Sequence, residues 1–294
     1  MDDSQACYIL KEYLNYNYEN INKYGENTVV LMQVGSFYEI YAVINESINV
    51  GADIHKIADI LGIQIARRNK NISEISYENY LMAGFPDHAI SKFRKILLNN
   101  DYTIVLVNQI TGPPNPERAI TDIISPGTVI ENYNNSDTNN LVSIYIDEYP
   151  QQYNKKIYVV GLSAIDVSTG KNYVHKIQST ITDENIWKDE LFRLIHYYSP
   201  KETLFHYDDE MKINNEEICN IFNLSDKTLH IQLYKDNKFK KQSFQNEFLQ
   251  KIFIINNNLS AIEYLEFERD PEITLSYIYM MQFIHEHKIE NIKE

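Results

Sequence analysis

The stretch that most constrains the fold is Val29 to Val43, VVLMQVGSFYEIYAV. It opens as a continuous apolar run, Val29 to Val34, breaks at Gly35, and resumes with Phe37, Ile40 and Tyr41. A short β-branched run ended by glycine predicts a buried strand entering a bend, then a second strand or turn. In extended backbone, Phe37 and Glu39 are two residues apart and leave from the same face. A large apolar ring and an acid then point at one target, while Tyr38 and Ile40 turn the other way into the core. Taken alone, the pattern also describes an ordinary strand with one aromatic in, one out and a solvated acid.

A chain of 294 residues predicts about two domains. Its 44% hydrophobic and 23% charged residues describe a globular protein rather than a disordered one. No apolar run approaches the roughly 20 residues that span a bilayer, and the acidic start MDDSQACYILKEYL has no signal-peptide layout. Cys7 and Cys219 lie far apart, with neither metal spacing nor a disulfide framework. An intracellular, soluble chain is expected.

The net charge of −14 argues against strong DNA binding, because phosphate contacts supply most non-specific affinity. Residues 1–130 carry 10 Lys/Arg against 15 Asp/Glu, a net −5; the remainder carries −9. Within the first part, Arg67, Arg68, Lys70, Lys92, Arg94 and Lys95 form a locally basic region with few acids. A chain built this way should bind duplex DNA weakly by itself.

Taken in order, residues 4–24 place Tyr8, Leu10, Tyr13, Leu14, Tyr16, Tyr18 and Ile21 at helical spacings. Ile54, Ile57, Ala58 and Leu61 predict an amphipathic helix over 53–61, with Gly62 as its C-cap. Residues 63–67 read as a strand, and Arg67-Arg68-Asn69-Lys70 as a polar loop. Ala83-Gly84-Phe85-Pro86 reads as a turn, followed by a helix over 87–99 with Asp87 as N-cap. His88 is expected as a capping or packing residue rather than a ligand. Residues 102–107 read as a strand, 112–116 as an exposed loop, and 120–124 as a last short strand. The polar run 131–140 reads as a linker. Beyond it, 141–146 and 157–165 read as paired strands, Ser168 to Lys171 as a hairpin turn, and 173–177 as the returning strand. A helix bearing Ile186, Leu191, Leu194 and Ile195 and a strand from Thr203 follow, and from Gln245 the chain turns helical.

Several chemistries find no support. The only Gly-Lys pair, Gly170-Lys171, has Ile165 and Asn172 where a phosphate loop needs a first glycine and a Ser/Thr. ATP hydrolysis by this chain alone is not expected. His285-Glu286-His287 puts its histidines on opposite flanks of a helix, so it is no metal pair. Asp147, Asp166 and Asp183 leave a metal-nuclease reading open, since such enzymes need several carboxylates converging on two cations. Asp166 is expected mid-strand, as one such ligand would be.

Together, the G-x-F-Y-E motif at 35–39, Leu61-Gly62-Ile63 before Arg67-Arg68, MAGFPDHAI (82–90), VNQI (107–110) and SPGTVI (125–130) resemble the mismatch-recognition domain of the MutS family of DNA mismatch-repair proteins. The resemblance continues into that family's connector domain through GLSAIDVSTGK (161–171). The resemblance implies an α/β chain. A mixed-sheet mismatch-recognition domain (1–130) and the linker (131–140) would precede a ribonuclease-H-like connector (141–244) and a helical start of the lever region (245–294). Phe37 and Glu39 would contact the mismatch, and Arg67, Arg68, Lys70 and Arg118 the DNA backbone. Partners implied are mismatched double-stranded DNA, a second copy in a full-length homodimer, and a repair endonuclease or sliding clamp; no membrane is implied. ATP and Mg belong only to a full-length, DNA-dependent ATPase parent, leaving this chain no cofactor, metal or catalytic residue. Departures from the family pattern are Ser36, where an acid is common, and Ala119 and Asp122, at positions often basic. A scaffold that binds no DNA is the other alternative.

Overall fold

The computed structural model describes residues 3–129, 139–209, 211, 213–255 and 258–287. They divide into two compact units, one running to Pro126 and the other Gly127–Glu286. The expected linker lies outside the described residues except for Asn139 and Asn140.

The first unit contains α1 (Asp3–Tyr24), β1 (Thr28–Val34), β2 (Phe37–Ile44), β3 (Asn49–Gly51), α2 (Ile54–Leu61), β4 (Ala66–Arg67), β5 (Leu81–Pro86), α3 (Ile90–Leu98), β6 (Thr103–Gln109) and β7 (Arg118–Ile124). The strands form one mixed sheet of order β4-β5-β2-β1-β6-β7, with β3 added beside β2. β1 and β6 pair in parallel, and the other pairs are antiparallel. The apolar run 29–32 is fully buried because helices cover both faces at this central strand. α1 covers one face through Tyr13, which meets Tyr41 edge-on with ring centroids 5.1 Å apart and donates to the Val30 carbonyl. α3 covers the other, its Phe93 stacked on Phe85 at 4.1 Å. α2 buries Ile54, Ile57, Ala58 and Leu61, and Gly62 caps it in the left-handed conformation (φ +65°). Two local expectations change. Only Ala66–Arg67 of the anticipated strand pairs in the sheet. Residues 83–86 are strand rather than turn, and Asp87 opens a 3-10 turn without capping it through its side chain.

The second unit contains β8 (Asn140–Pro150), β9 (Lys156–Asp166), β10 (Asn172–Gln178), α4 (Ile186–Tyr198), β11 (Glu202–Tyr207), α5 (Asn215–Phe222), β12 (Leu229–Ile231), α6 (Gln242–Ile252), α7 (Ala261–Tyr264) and α8 (Pro271–Glu286). Its sheet order is β10-β9-β8-β11-β12, antiparallel as far as β8 and parallel beyond. α4 and α5 close one face over Val142, Ile144, Leu162 and Phe205. α8 lies on the other, where Ser276 bonds Ser163 at 2.8 Å. A Cβ on Gly161 would collide with the Glu272 carbonyl oxygen, so this helix approaches the strand as closely as it does only over a glycine. Residues 245–286 thus belong to the same unit as the sheet.

Candidate functional site

β1 and β2 are joined by the two-residue turn Gly35-Ser36, with Gly35 at φ +62°. The register sets Phe37 between Val34 and Pro86, at the first position of β2. There its ring is 43% exposed, whereas Tyr38 next to it is buried. Tyr38 donates to Asn108 Oδ1 at 2.7 Å, and Asn108 donates to Thr121 Oγ1 at 2.6 Å. The Ser36 carbonyl accepts the Asp87 N–H at 2.9 Å, tying the turn to the end of β5. The exposed ring is therefore held by neighbours fixed from two directions.

Glu39 follows on the same face, half-buried, opposite Met32 on one side and Gly84 on the other. A Cβ at Gly84 would lie 2.7 Å from the Tyr38 carbonyl oxygen and 3.0 Å from Glu39 Cγ, so the missing side chain makes room for the acid. The Glu39 carboxylate accepts the Tyr41 hydroxyl. Burial lifts its carboxyl above the ordinary carboxylate range, against smaller opposing effects of the Tyr41 hydrogen bond and the Arg118 charge. Burial, then the Glu39 charge, pushes the Tyr41 hydroxyl far up.

A raised folded-state value means the fold prefers Glu39 protonated. Its contribution to stability is complete below the ordinary value of 4.5 and is lost as pH rises through the folded one. Glu39→Gln, which cannot ionise, should therefore gain stability relative to the natural chain as pH rises from 4.5 toward neutrality. Urea denaturation across that range measures the difference; a flat difference would remove the buried, proton-holding carboxyl.

The cations divide differently from expectation. Arg118, expected at the DNA backbone, has a side chain 4% exposed that pairs with Glu12 at 3.0 Å. Its Nε donates to the Gln33 carbonyl at 2.9 Å, and the Arg118 carbonyl accepts the Tyr16 hydroxyl. A guanidinium so enclosed props the sheet beneath Glu39. Arg67 donates to the carbonyls of Ser73 (3.0 Å) and Lys70 (3.4 Å), and Arg68 to that of Glu78 (3.0 Å). Both brace the 69–79 loop, while Lys70 is exposed. The register Arg67↔Leu81 and Phe37↔Pro86 sets this loop and the ring about 17 Å apart along β5. His88, expected to cap or pack, has a side chain 82% exposed.

The carboxylates of the nuclease reading do not meet. Asp166 ends β9 instead of sitting mid-strand, and it accepts Ser168 N–H (3.1 Å) and Thr169 Oγ1 (2.8 Å) to close the turn. Asp147 pairs with Val159, about 23 Å along the strand from Asp166. Among the described residues no group of three or more His, Cys, Asp or Glu could hold a metal ion.

Sequence reasoning missed Tyr41, Glu12 and Gly84 as supports of the acid. The i, i+2, i+4 spacing of Phe37, Glu39 and Tyr41 was a usable signal; nothing local pointed to Glu12.

The first unit is a mixed α/β domain presenting an aromatic ring and an acid side by side from one strand end. Residues 14–133 match the family model for MutS domain I. The chain is 31% identical over 295 residues to a DNA mismatch repair protein mutS homolog of Acanthamoeba polyphaga mimivirus, covering 92% of this chain and 26% of that protein. It is 25% identical over 270 residues to the DNA mismatch repair protein MutS of Streptococcus agalactiae, covering 90% and 26%. To that of Borrelia turicatae it is 26% identical over 275 residues, covering 91% and 26%. The chain belongs to the MutS family, to whose N-terminal region it corresponds. It spans about a quarter of the length of these relatives. No helix among the described residues is long and apolar enough to cross a membrane.

Proposed function

We propose that this chain is the mismatched-DNA-binding portion of a MutS-type repair protein, with Phe37 as an apolar wedge. The observation that carries the reading is an exposed phenyl ring on a braced strand start, with a protonatable acid beside it on the same face. Entering from the minor groove, the ring unstacks a base step and bends the duplex. That costs a few kcal/mol, least where pairing is already poor. Deformability, more than base identity, then selects the site. Glu39 hydrogen-bonds the displaced base. Protonated, it donates to a ring nitrogen or carbonyl; ionised, it accepts from an amino or imino group and repels nearby phosphates. It thus discriminates against ordinary duplex rather than adding affinity.

On this reading the second unit includes the connector, of ribonuclease-H-like type, and the beginning of the lever region. The Walker ATPase, the homodimer contact and the clamp or endonuclease partners belong to a full-length parent. The separation of Asp147 from Asp166 disfavours the nuclease alternative. Fluorescence anisotropy of this chain with a labelled duplex tests the proposal: tighter binding to a duplex holding one mismatch is expected. Equal affinity for matched and mismatched duplex would reject it in favour of a scaffold.

A further inference from the structure

Phe37, Glu39 and Tyr41 leave β2 on one face at three depths: the first is exposed, the second half-buried and the third buried. Two other rings fix Tyr41. Tyr13 of α1 meets it edge-on at 5.1 Å, and Tyr80, just before β5, does so at 5.4 Å. The Tyr41 hydroxyl donates to Glu39 Oε2. The Tyr13 hydroxyl does not compete for that oxygen, because it donates to the Val30 carbonyl at 3.2 Å. Gly84, opposite Glu39, supplies the clearance in which the carboxyl takes this position.

The bond makes the two carboxyl oxygens unequal. Oε2 is drawn toward a buried donor, whereas Oε1 accepts no hydrogen bond among the described residues. A neutral carboxyl has one oxygen that accepts and one that carries the proton. Because Oε2 is already accepting, the proton of neutral Glu39 belongs on Oε1. Tyr41 does not reverse the arrangement, since burial, then the Glu39 charge, keeps its hydroxyl protonated. The other ionisable groups around the acid are Tyr13 and Tyr80, with Arg118 of β7 and its partner Glu12 of α1. Phenols titrate near about pH 10 even when unperturbed, and the Arg118 charge lowers the Glu39 carboxyl.

We infer that Tyr41 is the positioning residue of the mismatch site, holding Glu39 by Oε2 so that Oε1 meets the displaced base and carries the donated proton. This rests on the wedge reading and adds how its acid is aimed and when it donates. On the minor-groove edge adenine and thymine show only acceptors, N3 and O2, so such a base calls for a donor. Oε1 is one only while Glu39 is neutral. As pH rises through the folded value, the donor is lost and the carboxylate faces an acceptor instead.

The test is anisotropy of the whole chain with a matched duplex and with the same duplex bearing one A·A mismatch, from about pH 5 to about pH 8. The natural sequence is compared with Tyr41→Phe, which keeps the ring, and with Glu39→Gln, which cannot ionise. The natural chain should prefer the mismatch most at the acid end and lose that preference as pH rises. Tyr41→Phe removes a bond that lowers the carboxyl, so the loss should move to higher pH by about one unit. Its preference at the acid end should fall about two- to tenfold, because the carboxyl is free to turn. Glu39→Gln should show a preference that does not change with pH. A Tyr41→Phe midpoint that stays in place would overturn the inference, whether or not the preference falls, since packing alone then explains Tyr41. A pH dependence that persists in Glu39→Gln would overturn it too. Failure of the wedge reading looks different: the natural chain itself would show no preference at any pH, and this inference would fall with it.

Discussion

Phe37→Ala is expected to erase the preference for mismatched duplex while leaving the fold intact. Removing an aromatic from a stacked base typically costs about 1–3 kcal/mol, so mismatch affinity should fall about tenfold to a hundredfold. Affinity for matched duplex should move little, because an intact step resists the wedge and the ring adds little there. Stability should change by less than about 1 kcal/mol, since the ring is 43% exposed and its neighbours are fixed independently. Anisotropy with both duplexes, alongside urea denaturation, gives both readings. A variant that keeps its preference ends the wedge assignment. One that loses preference only by unfolding would show the ring to be a packing residue.

The largest loss of stability is expected at Arg118. Arg118→Ala removes the partner of Glu12 and the donor to the Gln33 carbonyl, both at a largely enclosed position. Breaking a buried ion pair from one side leaves an uncompensated charge and costs about 3 kcal/mol or more. The Glu12 side chain is 16% exposed, which puts the expectation at the lower end of that range. Replacing both partners by apolar residues, Arg118→Met with Glu12→Leu, should recover most of the loss. Chemical denaturation followed on the first unit measures both. A loss below about 1 kcal/mol with a shallower salt dependence of DNA binding would instead return Arg118 to the phosphate backbone. The substitution also removes a charge that lowers the Glu39 carboxyl, so that group should hold its proton to still higher pH.

The pH and salt expectations follow from one division of labour. Glu39 and the Phe37 ring share one face at the start of β2, and the exposed Lys92 and Lys95 sit on α3, which covers the opposite face. On the proposed function, a chain of net charge −14 would bind DNA weakly and with salt sensitivity, its preference carried by shape.

Much of the first unit was legible in advance. Period-two alternation is a property of the chain itself, so residues 29–43 alone determined a buried strand, a glycine turn and the shared face of Phe37 and Glu39. The 54–61 helix and its Gly62 cap were legible for the same reason, being set by spacing within one turn of helix. Gly84 was misread because a glycine in a strand looks like a turn until the residue opposite it is known. Asp166 was misplaced because a strand's last residue and its middle look alike when the turn chemistry beyond is not weighed.

What only the tertiary structure decided is which side chains are enclosed and which are exposed. Arg118 and Glu12 stand 106 positions apart in the chain, and no local pattern links them. Their pairing encloses one cation, the 69–79 loop engages two more, and His88 and Lys92 are exposed. Charge in a sequence is only an inventory. Its use depends on which segments the sheet register brings together, and that register is settled by burial over the whole domain.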